Sequence, residues 1–311
     1  MTLVTYVAVA IAAFLFLYVA LSYQLYRRAF LPPRPVWLDD FSFTPFEFQA
    51  DYEEVELVTA DGINFGAWHF RQPGSPQTVI ISGGHKGQRQ GALGIAVALW
   101  RKGFNVVLYS YRGMPGSDRA PITFGIKEVL ELQASIAFAR KRIPNARIGL
   151  LGYSMGAVVS MLGAAGEPGV QALVLDSPFS DLRRLLIESV RGASKLPGTP
   201  FVWLAGLMFW MRTRSRLSEC NPMDVLTALE ARPLFFIHGG ADDITNVNHS
   251  RRLYDAYRGP REIWIVQGAP HTGAYFADRP LYVERVAGFF ARHLGLDVSS
   301  HLRLVEEEEV S

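Results

Sequence analysis

Three polar residues of this 311-residue chain have the types that activate a hydroxyl nucleophile. Ser154 lies within GYSMG, Asp242 within GGADD and His271 within GAPHTG, in that order along the chain. A serine hydroxyl attacks a carbonyl group when a base removes its proton, and a carboxylate orients that base. The pattern predicts Ser154 as the nucleophile, His271 as the general base and Asp242 as the residue that orients it.

The identity of the acid leaves alternatives open. Asp243 is the direct neighbour of Asp242, and only one of the two can face His271. Asp176 ends an earlier predicted strand and is the other candidate. We interpret His238, which lies within a strand, as a packed residue. We expect no metal and no other cofactor, because no ligand spacing connects the remaining histidines: His69, His249, His293 and His301.

The oxyanion formed by such an attack needs two backbone N–H donors. Met155 directly follows the nucleophile and is expected to supply one donor. The loop SGGHKG (82–87) should supply the other through Gly84, with His85 as the alternative. The loop is not a phosphate-binding loop, since a glycine follows Lys86 where a serine or threonine would be needed.

A sharp turn between a strand and a helix must present Ser154. RIGLLGY (147–153) is typical of a strand, and the apolar residues after Met155 are typical of a helix. Glycines two positions before and two after the serine remove Cβ atoms that would clash in such a turn. Asp242 and His271 each follow a predicted strand, so all three residues should meet at one edge of a sheet.

Apolar strands alternate with helical segments through residues 51–295. This pattern predicts an α/β fold with a mostly parallel sheet covered by helices on both faces. An antiparallel hairpin over 53–70 that turns at Asp61-Gly62 should form one edge. The further strands are predicted at 77–82, 105–110, 147–153, 172–177, 233–239 and 262–268, and helices near 90–102, 125–142, 155–165, 246–258 and 280–294.

Residues 181–222 interrupt the alternation, because they separate two strands by far more than a usual connection. The segment contains LRRLLIESV and the apolar run FVWLAGLMFWM (201–211), which is too short to cross a bilayer. It can be interpreted as a helix packed on the core, as a cap over a substrate pocket, or as a contact with the membrane surface.

The N-terminus differs from the rest of the chain. Residues 1–26 carry no charged side chain and predict a transmembrane anchor, whereas a cleaved signal peptide would have basic residues before its apolar run. Arg27, Arg28 and Arg34 follow the span and place the body of the protein in the cytoplasm. Residues 27–50, which include LPPRP, are predicted as a linker, and residues 296–311 as an acidic tail.

Composition limits the remaining functional classes. The formal net charge is +2, and no basic stripe with interleaved aromatic residues is present, which argues against nucleic-acid binding. The single cysteine, Cys220, excludes an internal disulfide and is not expected to be catalytic. The oligomeric state stays open.

Six motifs follow one another along the chain: SGGHKG (82–87), YRGMPGS (111–117), GYSMG (152–156), DSPFSDL (176–182), IHGGADD (237–243) and GAPHTG (268–273). In these ordered motifs the chain resembles the α/β-hydrolase superfamily, and within it the Bem46-like and serine-aminopeptidase-like branch. The resemblance covers roughly residues 50–295. It implies an eight-stranded, mostly parallel sheet whose second strand is antiparallel, the roles given above to Ser154, Asp242 and His271, and a cap over 181–222.

This reading predicts a membrane-anchored serine hydrolase that cleaves carboxylic esters or thioesters of acyl or lipid-like substrates through an acyl-enzyme. An aminopeptidase or amidase on the same triad is one alternative, and a non-catalytic membrane-tethered binding protein is another. Acyl transfer to a second alcohol, or C–C bond hydrolysis, would use the same residues. The expected partners are a small acyl substrate and the membrane.

Overall fold

A central sheet organises the computed structural model, which describes residues 2–33 and 43–296. Its strands in this part of the chain are β1 (Glu53–Val58), β2 (Asn64–Phe70), β3 (Gln77–Ser82), β4 (Asn105–Tyr109), β5 (Arg147–Tyr153), β6 (Val170–Asp176), β7 (Leu234–Gly239) and β8 (Arg261–Val266). They lie in the order β1-β2-β4-β3-β5-β6-β7-β8. β2 is antiparallel to β1 and β4, and the other neighbours are parallel, so the predicted sheet is confirmed.

Helices cover both faces of the sheet. They are α1 (Leu3–Phe30), α2 (Leu93–Arg101), α3 (Val129–Arg142), α4 (Met155–Ala165), α5 (Leu182–Ser194), α6 (Gly198–Thr213), α7 (Leu226–Leu229), α8 (Asn248–Ala256), α9 (Ala274–Ala277) and α10 (Arg279–Leu294). Successive strand residues point to opposite faces. Leu150 therefore packs in the cluster that includes α3 and α4, while Leu151 packs in the cluster that includes α2 and α10.

The long segment between β6 and β7 forms α5 and α6, which we call the cap helices. The carboxylate of Asp181 accepts a hydrogen bond from the backbone N–H of Arg184 and so caps the start of α5. α5 ends at Lys195, which has a φ of 58°. The buried faces of the cap helices include Leu186 and Phe209, so these helices pack on the core as well as on each other.

Helix α1 is longer than the sequence predicted. It continues to Phe30, four residues beyond the predicted anchor boundary at 26, so residues 27–30 of the predicted linker are helical. Arg27 and Arg28 stay helical because basic side chains are favourable in a last turn. Phe30 is fully buried, with its ring centroid 4.4 Å from that of Phe209. The helix ends at Leu31, since a residue before proline disfavours helical angles.

The structure describes only part of the predicted linker and almost none of the predicted acidic tail. Residues 34–42 of the linker, including Arg34, and residues 297–311 of the acidic tail lie outside the described residues. Leu3 to Leu21 are exposed or half-buried, and Ser22 is the first buried residue of α1. By length and composition, α1 could serve as a membrane anchor or as a signal sequence.

Candidate active site

Ser154 occupies the turn that joins β5 to α4. Its backbone angles, φ 53° and ψ −113°, lie where residues with a side chain are uncommon, so the surrounding structure must hold it there. A Cβ atom on Gly152 would overlap the carbonyl oxygen of Gly156, and one on Gly156 would overlap that of Ser82. The two glycines are therefore needed for close backbone approach rather than for positive φ.

His271 joins Ser154 to Asp242 through its two ring nitrogens. Its Nε2 lies 2.9 Å from Ser154 Oγ, and its Nδ1 lies 2.7 Å from Asp242 Oδ2. Asp242 accepts at Nδ1, so that nitrogen carries the proton and Nε2 is free to accept the serine hydroxyl proton. The structure thus brings together the three residues that the sequence pattern selected.

The carboxylate of Asp242 is fully buried and accepts several hydrogen bonds. Its Oδ1 accepts from the backbone N–H of Thr245 at 2.7 Å and of Ile244 at 3.0 Å. Burial alone would raise the pKa of Asp242, but hydrogen bonds from His238 and His271 outweigh burial and hold the pKa well below its ordinary value. The group therefore stays ionised and can stabilise an imidazolium ion.

His238 contacts Asp242, whereas the sequence analysis treated it only as a packed residue. It is fully buried in β7, as expected, but its Nε2 also lies 3.1 Å from Asp242 Oδ2. The same nitrogen lies 2.7 Å from the carbonyl oxygen of Thr245, and Nδ1 lies 2.7 Å from Ser250 Oγ. A carbonyl only accepts, so Nε2 carries the proton and shares it between the nearer Thr245 carbonyl and the carboxylate. The i,i+4 spacing of His238 and Asp242 was the available signal.

The two alternative acids lie elsewhere. Asp243 is exposed beside Asp242. Asp176 is fully buried at the end of β6, where its carboxylate accepts from Tyr282 Oη at 2.9 Å and burial raises its pKa to about 6. Its backbone carbonyl accepts from the N–H of Ser154 at 2.7 Å. Asp176 thus supports the serine turn through its backbone.

Gly84 and Met155 lie next to the serine, where oxyanion donors are needed. A Cβ atom built on Gly84 would lie 3.8 Å from Cβ of Ser154. Met155 is the first residue of α4, and the first N–H groups of a helix have no partner within it. The carbonyl oxygen of Gly84 accepts from the N–H of Gly87 at 3.1 Å, which closes the loop into a tight turn.

The side chains of the same loop bind the end of α1. His85 Nε2 donates to the backbone carbonyl of Ala29 at 2.7 Å, and its ring stacks on Phe124 with centroids 4.4 Å apart. Lys86 Nζ donates to the carbonyl of Arg28. Burial lowers the pKa of His85 to about 4. The last carbonyls of a helix lack intrahelical partners, so these two side chains cap α1.

A cavity of about 810 Å³ opens over Ser154 and His271. This volume falls in the range of small-molecule sites, which are mostly apolar with a few convergent polar groups. Its walls come from α1, the 82–87 loop, the cap helices and the region of α9. The apolar lining side chains include Leu21, Leu25, Phe124, Phe179, Leu185, Leu186, Leu196, Phe201 and Phe276.

Comparisons with known proteins agree with this architecture. A family profile described as the alpha/beta hydrolase fold matches residues 79–200. The chain is 28% identical over 250 residues to the uncharacterized protein YqkD of Bacillus subtilis. The aligned region covers 79% of this chain and 81% of YqkD. It is 29% identical over 238 residues to the uncharacterized protein Rv2307c of Mycobacterium tuberculosis. This aligned region covers 76% of the chain and 78% of Rv2307c.

Among solved structures, the chain is similar to the Pyrococcus furiosus esterase Pf2001. The TM-score is 0.70 with 26% identity, over 85% of this chain and 98% of the esterase. This likeness supports hydrolase activity on the fold described here. With its eight-stranded sheet, strand order and profile match, the chain has the α/β-hydrolase fold.

Proposed function

We propose that this protein is a membrane-anchored serine hydrolase that cleaves carboxylic esters or thioesters of acyl substrates. The observation that carries the proposal is the continuous hydrogen-bonded chain from Ser154 Oγ through His271 to the buried carboxylate of Asp242, at the wall of an apolar cavity. This arrangement lets His271 accept the serine proton while Asp242 orients the ring, as nucleophilic catalysis requires.

The reaction follows from this geometry. His271 Nε2 takes the proton of Ser154 as the oxygen forms a bond to the substrate carbonyl carbon. The N–H groups of Met155 and Gly84 are proposed to hold the resulting oxyanion. The imidazolium ion then gives its proton to the departing alcohol or thiol, which leaves an acyl-enzyme. Water repeats the sequence and releases the acid and the free serine.

The cavity lining favours esters over substrates with a free amine. An aminopeptidase needs an acidic group near that amine, and the lining residues within the described chain include no carboxylate. The acidic residues of the cap segment have other partners. Asp181 caps α5, Glu188 binds Arg184 and His249, and Glu219 accepts from the backbone N–H of Arg216.

The packing of α1 supports an anchor that stays in the mature protein. Leu21 and Leu25 line the cavity and Phe30 is fully buried, so cleavage after α1 would remove part of the site and of the core. We propose a cytoplasmic body, because Arg27 and Arg28 follow the span. Protease added to sealed inverted membrane vesicles should digest the body, and protection would reverse this orientation.

A fluorophosphonate probe tests the proposed nucleophile. We expect wild-type protein to be labelled and to hydrolyse p-nitrophenyl butyrate. Ser154→Ala should lose labelling and about a thousandfold or more of the turnover rate. Ser160→Ala is the matched control, because this buried serine of α4 donates to the carbonyl of Gly156 and does not line the cavity. Unlabelled wild-type protein without esterase activity would favour a non-catalytic binding protein.

A further inference from the structure

The exposed part of α1 has the length of a bilayer core and ends where the cavity begins. Leu3 to Leu21 comprise 19 residues, which extend about 28 Å at a rise of 1.5 Å per residue. A hydrocarbon core is about 30 Å thick. Ser22 is the first buried residue, and Leu21 and Leu25 already line the cavity. The cavity therefore reaches α1 at the level of the membrane surface.

Cap helix α6 runs parallel to the end of α1 and brings the cap to the same level. Tyr18 Oη donates to the carbonyl of Pro200 at 3.0 Å, and its ring lies 5.6 Å from that of Phe201. Twelve residues further along α1, Phe30 packs on Phe209. The start of α6 thus lies beside the last membrane-embedded turns of α1. Its outward side chains include exposed Trp203, Leu207, Trp210 and Met211.

The charge of the cap segment complements an anionic membrane surface. Residues 181–222 carry seven basic and three acidic side chains, and each acidic side chain already has a partner: Asp181 caps α5, Glu188 binds Arg184 and His249, and Glu219 accepts from the backbone N–H of Arg216. Exposed basic residues and tryptophans together are typical of segments that lie in a lipid interface. The exposed basic side chains are Arg183, Arg184, Arg191, Lys195, Arg212, Arg214 and Arg216.

We propose that the substrate is a long-chain acyl ester resident in the bilayer, and that it enters the cavity directly from the membrane between α1 and the cap helices. Leu21 and Leu25 of α1 would contact its acyl chain on one side, and Leu196 and Phe201 of the cap on the other. The ester carbonyl then reaches Ser154 without passing through water. This inference rests on the proposed hydrolase function and adds the class of substrate and its route.

Surface-dilution kinetics test the route. Full-length protein is reconstituted into vesicles of phosphatidylcholine and phosphatidylglycerol, with 4-methylumbelliferyl oleate in the same bilayer and p-nitrophenyl butyrate in the buffer. Added phospholipid lowers the mole fraction of oleate ester in the membrane at constant bulk concentration. We expect the rate of oleate-ester hydrolysis to fall in proportion to that mole fraction, while the rate with the soluble butyrate stays constant.

Substitutions on α1 test whether this helix forms the wall of the cavity that contacts the acyl chain. Leu25→Trp places a bulky ring in the acyl path and should lower the ratio of oleate to butyrate turnover about tenfold. Val19→Trp is the matched control, since Val19 is exposed on the same helix and does not line the cavity. Its turnover ratio should stay that of the wild type. Fluorophosphonate labelling of Leu25→Trp shows that the variant is folded.

Each contrary result has a distinct meaning. Oleate turnover that follows bulk concentration, or an unchanged ratio in Leu25→Trp, would overturn entry from the membrane and leave the hydrolase proposal intact. Turnover of butyrate without any turnover of oleate would overturn the substrate class and its route, and leave the hydrolase proposal intact. Failure with both esters, together with absent labelling of Ser154, would overturn the proposed function and this inference with it.

Discussion

The two sides of the cavity are held in place by different physics. On the sheet side, Ser154 sits in a turn whose flanking glycines have no room for a Cβ atom, and Asp242 is held by three hydrogen bonds and a 3.1 Å contact with His238. On the opposite side, which faces the proposed membrane entrance and is called the membrane side, α1 and the cap helices meet through apolar rings and a few capping hydrogen bonds. Single substitutions on the sheet side should therefore cause large losses of stability or activity, and those on the membrane side smaller losses.

Gly156→Ala breaks the sheet side most directly. The new methyl group would overlap the carbonyl oxygens of Ser82 and Gly83, which belong to backbone that cannot yield. We expect the free energy of unfolding in detergent micelles to fall by more than about 3 kcal/mol, with loss of activity. Gly166→Ala is the control, because its nearest neighbour atom would be 3.9 Å away. Equal stability of the two variants would refute the tight turn.

His238→Leu tests whether the sheet side depends on a second histidine. The variant removes a buried donor to Asp242, and a hydrogen bond to a charged group contributes about 1.5–3 kcal/mol. We expect kcat to fall about 10- to 100-fold with little change in KM, and His238→Gln to recover part of the loss. Asp243→Asn, which alters an exposed neighbour, should keep wild-type kinetics. A loss confined to stability would make His238 merely structural.

His85 gives the contact between the two sides a dependence on pH. The pKa of His85 is about 4 in the folded protein and near 6.5 in the unfolded chain. Between these pH values the unfolded chain is protonated at His85 and the folded protein is not. The contribution of His85 to the free energy of unfolding is therefore fully present above about pH 6.5 and decreases as the pH falls towards about 4. At pH 5 this contribution is lower by about 2 kcal/mol. In His85→Asn that part of the pH dependence should vanish. Denaturant unfolding at pH 7.5 and 5 measures it, and an identical pH slope in both proteins would contradict the assignment.

Tyr18→Phe probes the membrane side with the smallest expected effect. It removes one hydrogen bond to the carbonyl of Pro200 and keeps the ring contact with Phe201. A loss of about 1 kcal/mol lowers Tm in micelles by roughly 2 °C. Tyr6→Phe, at an exposed position of α1, should leave Tm unchanged. A drop of equal size in both variants would mean that the contact between α1 and α6 contributes nothing specific.

The difference between the two sides also explains which features could be predicted from the sequence. Ser154, Asp242 and His271 follow strand ends with flanking glycines, and this local pattern together with chain order was enough to select them. The roles of these residues stay predictions that the labelling and kinetic experiments test. The eight-stranded, mostly parallel sheet and its antiparallel second strand were implied by the resemblance and are confirmed, whereas the order of the strands was not predicted.

The features that sequence reasoning missed depend on contacts between distant segments. Arg27 and Arg28 indicated the end of a membrane span, but the helix continues because Phe30 finds a buried partner in α6. Nothing in the local sequence around residue 30 specifies that partner. His85 was considered as a neighbour of the oxyanion donor, whereas its ring is used to bind α1, 56 residues earlier in the chain.

The clamp formed by His85 and Lys86 changes how a soluble fragment of this protein should be understood. A fragment that begins at residue 43 would lack the two carbonyl groups that these side chains bind, as well as the aliphatic wall provided by Leu21 and Leu25. The imidazole of His85 would lose its acceptor within the loop that holds Gly84, the proposed oxyanion donor. Poor activity of such a fragment would therefore report a damaged catalytic pocket, and would say little about whether the natural enzyme prefers lipids.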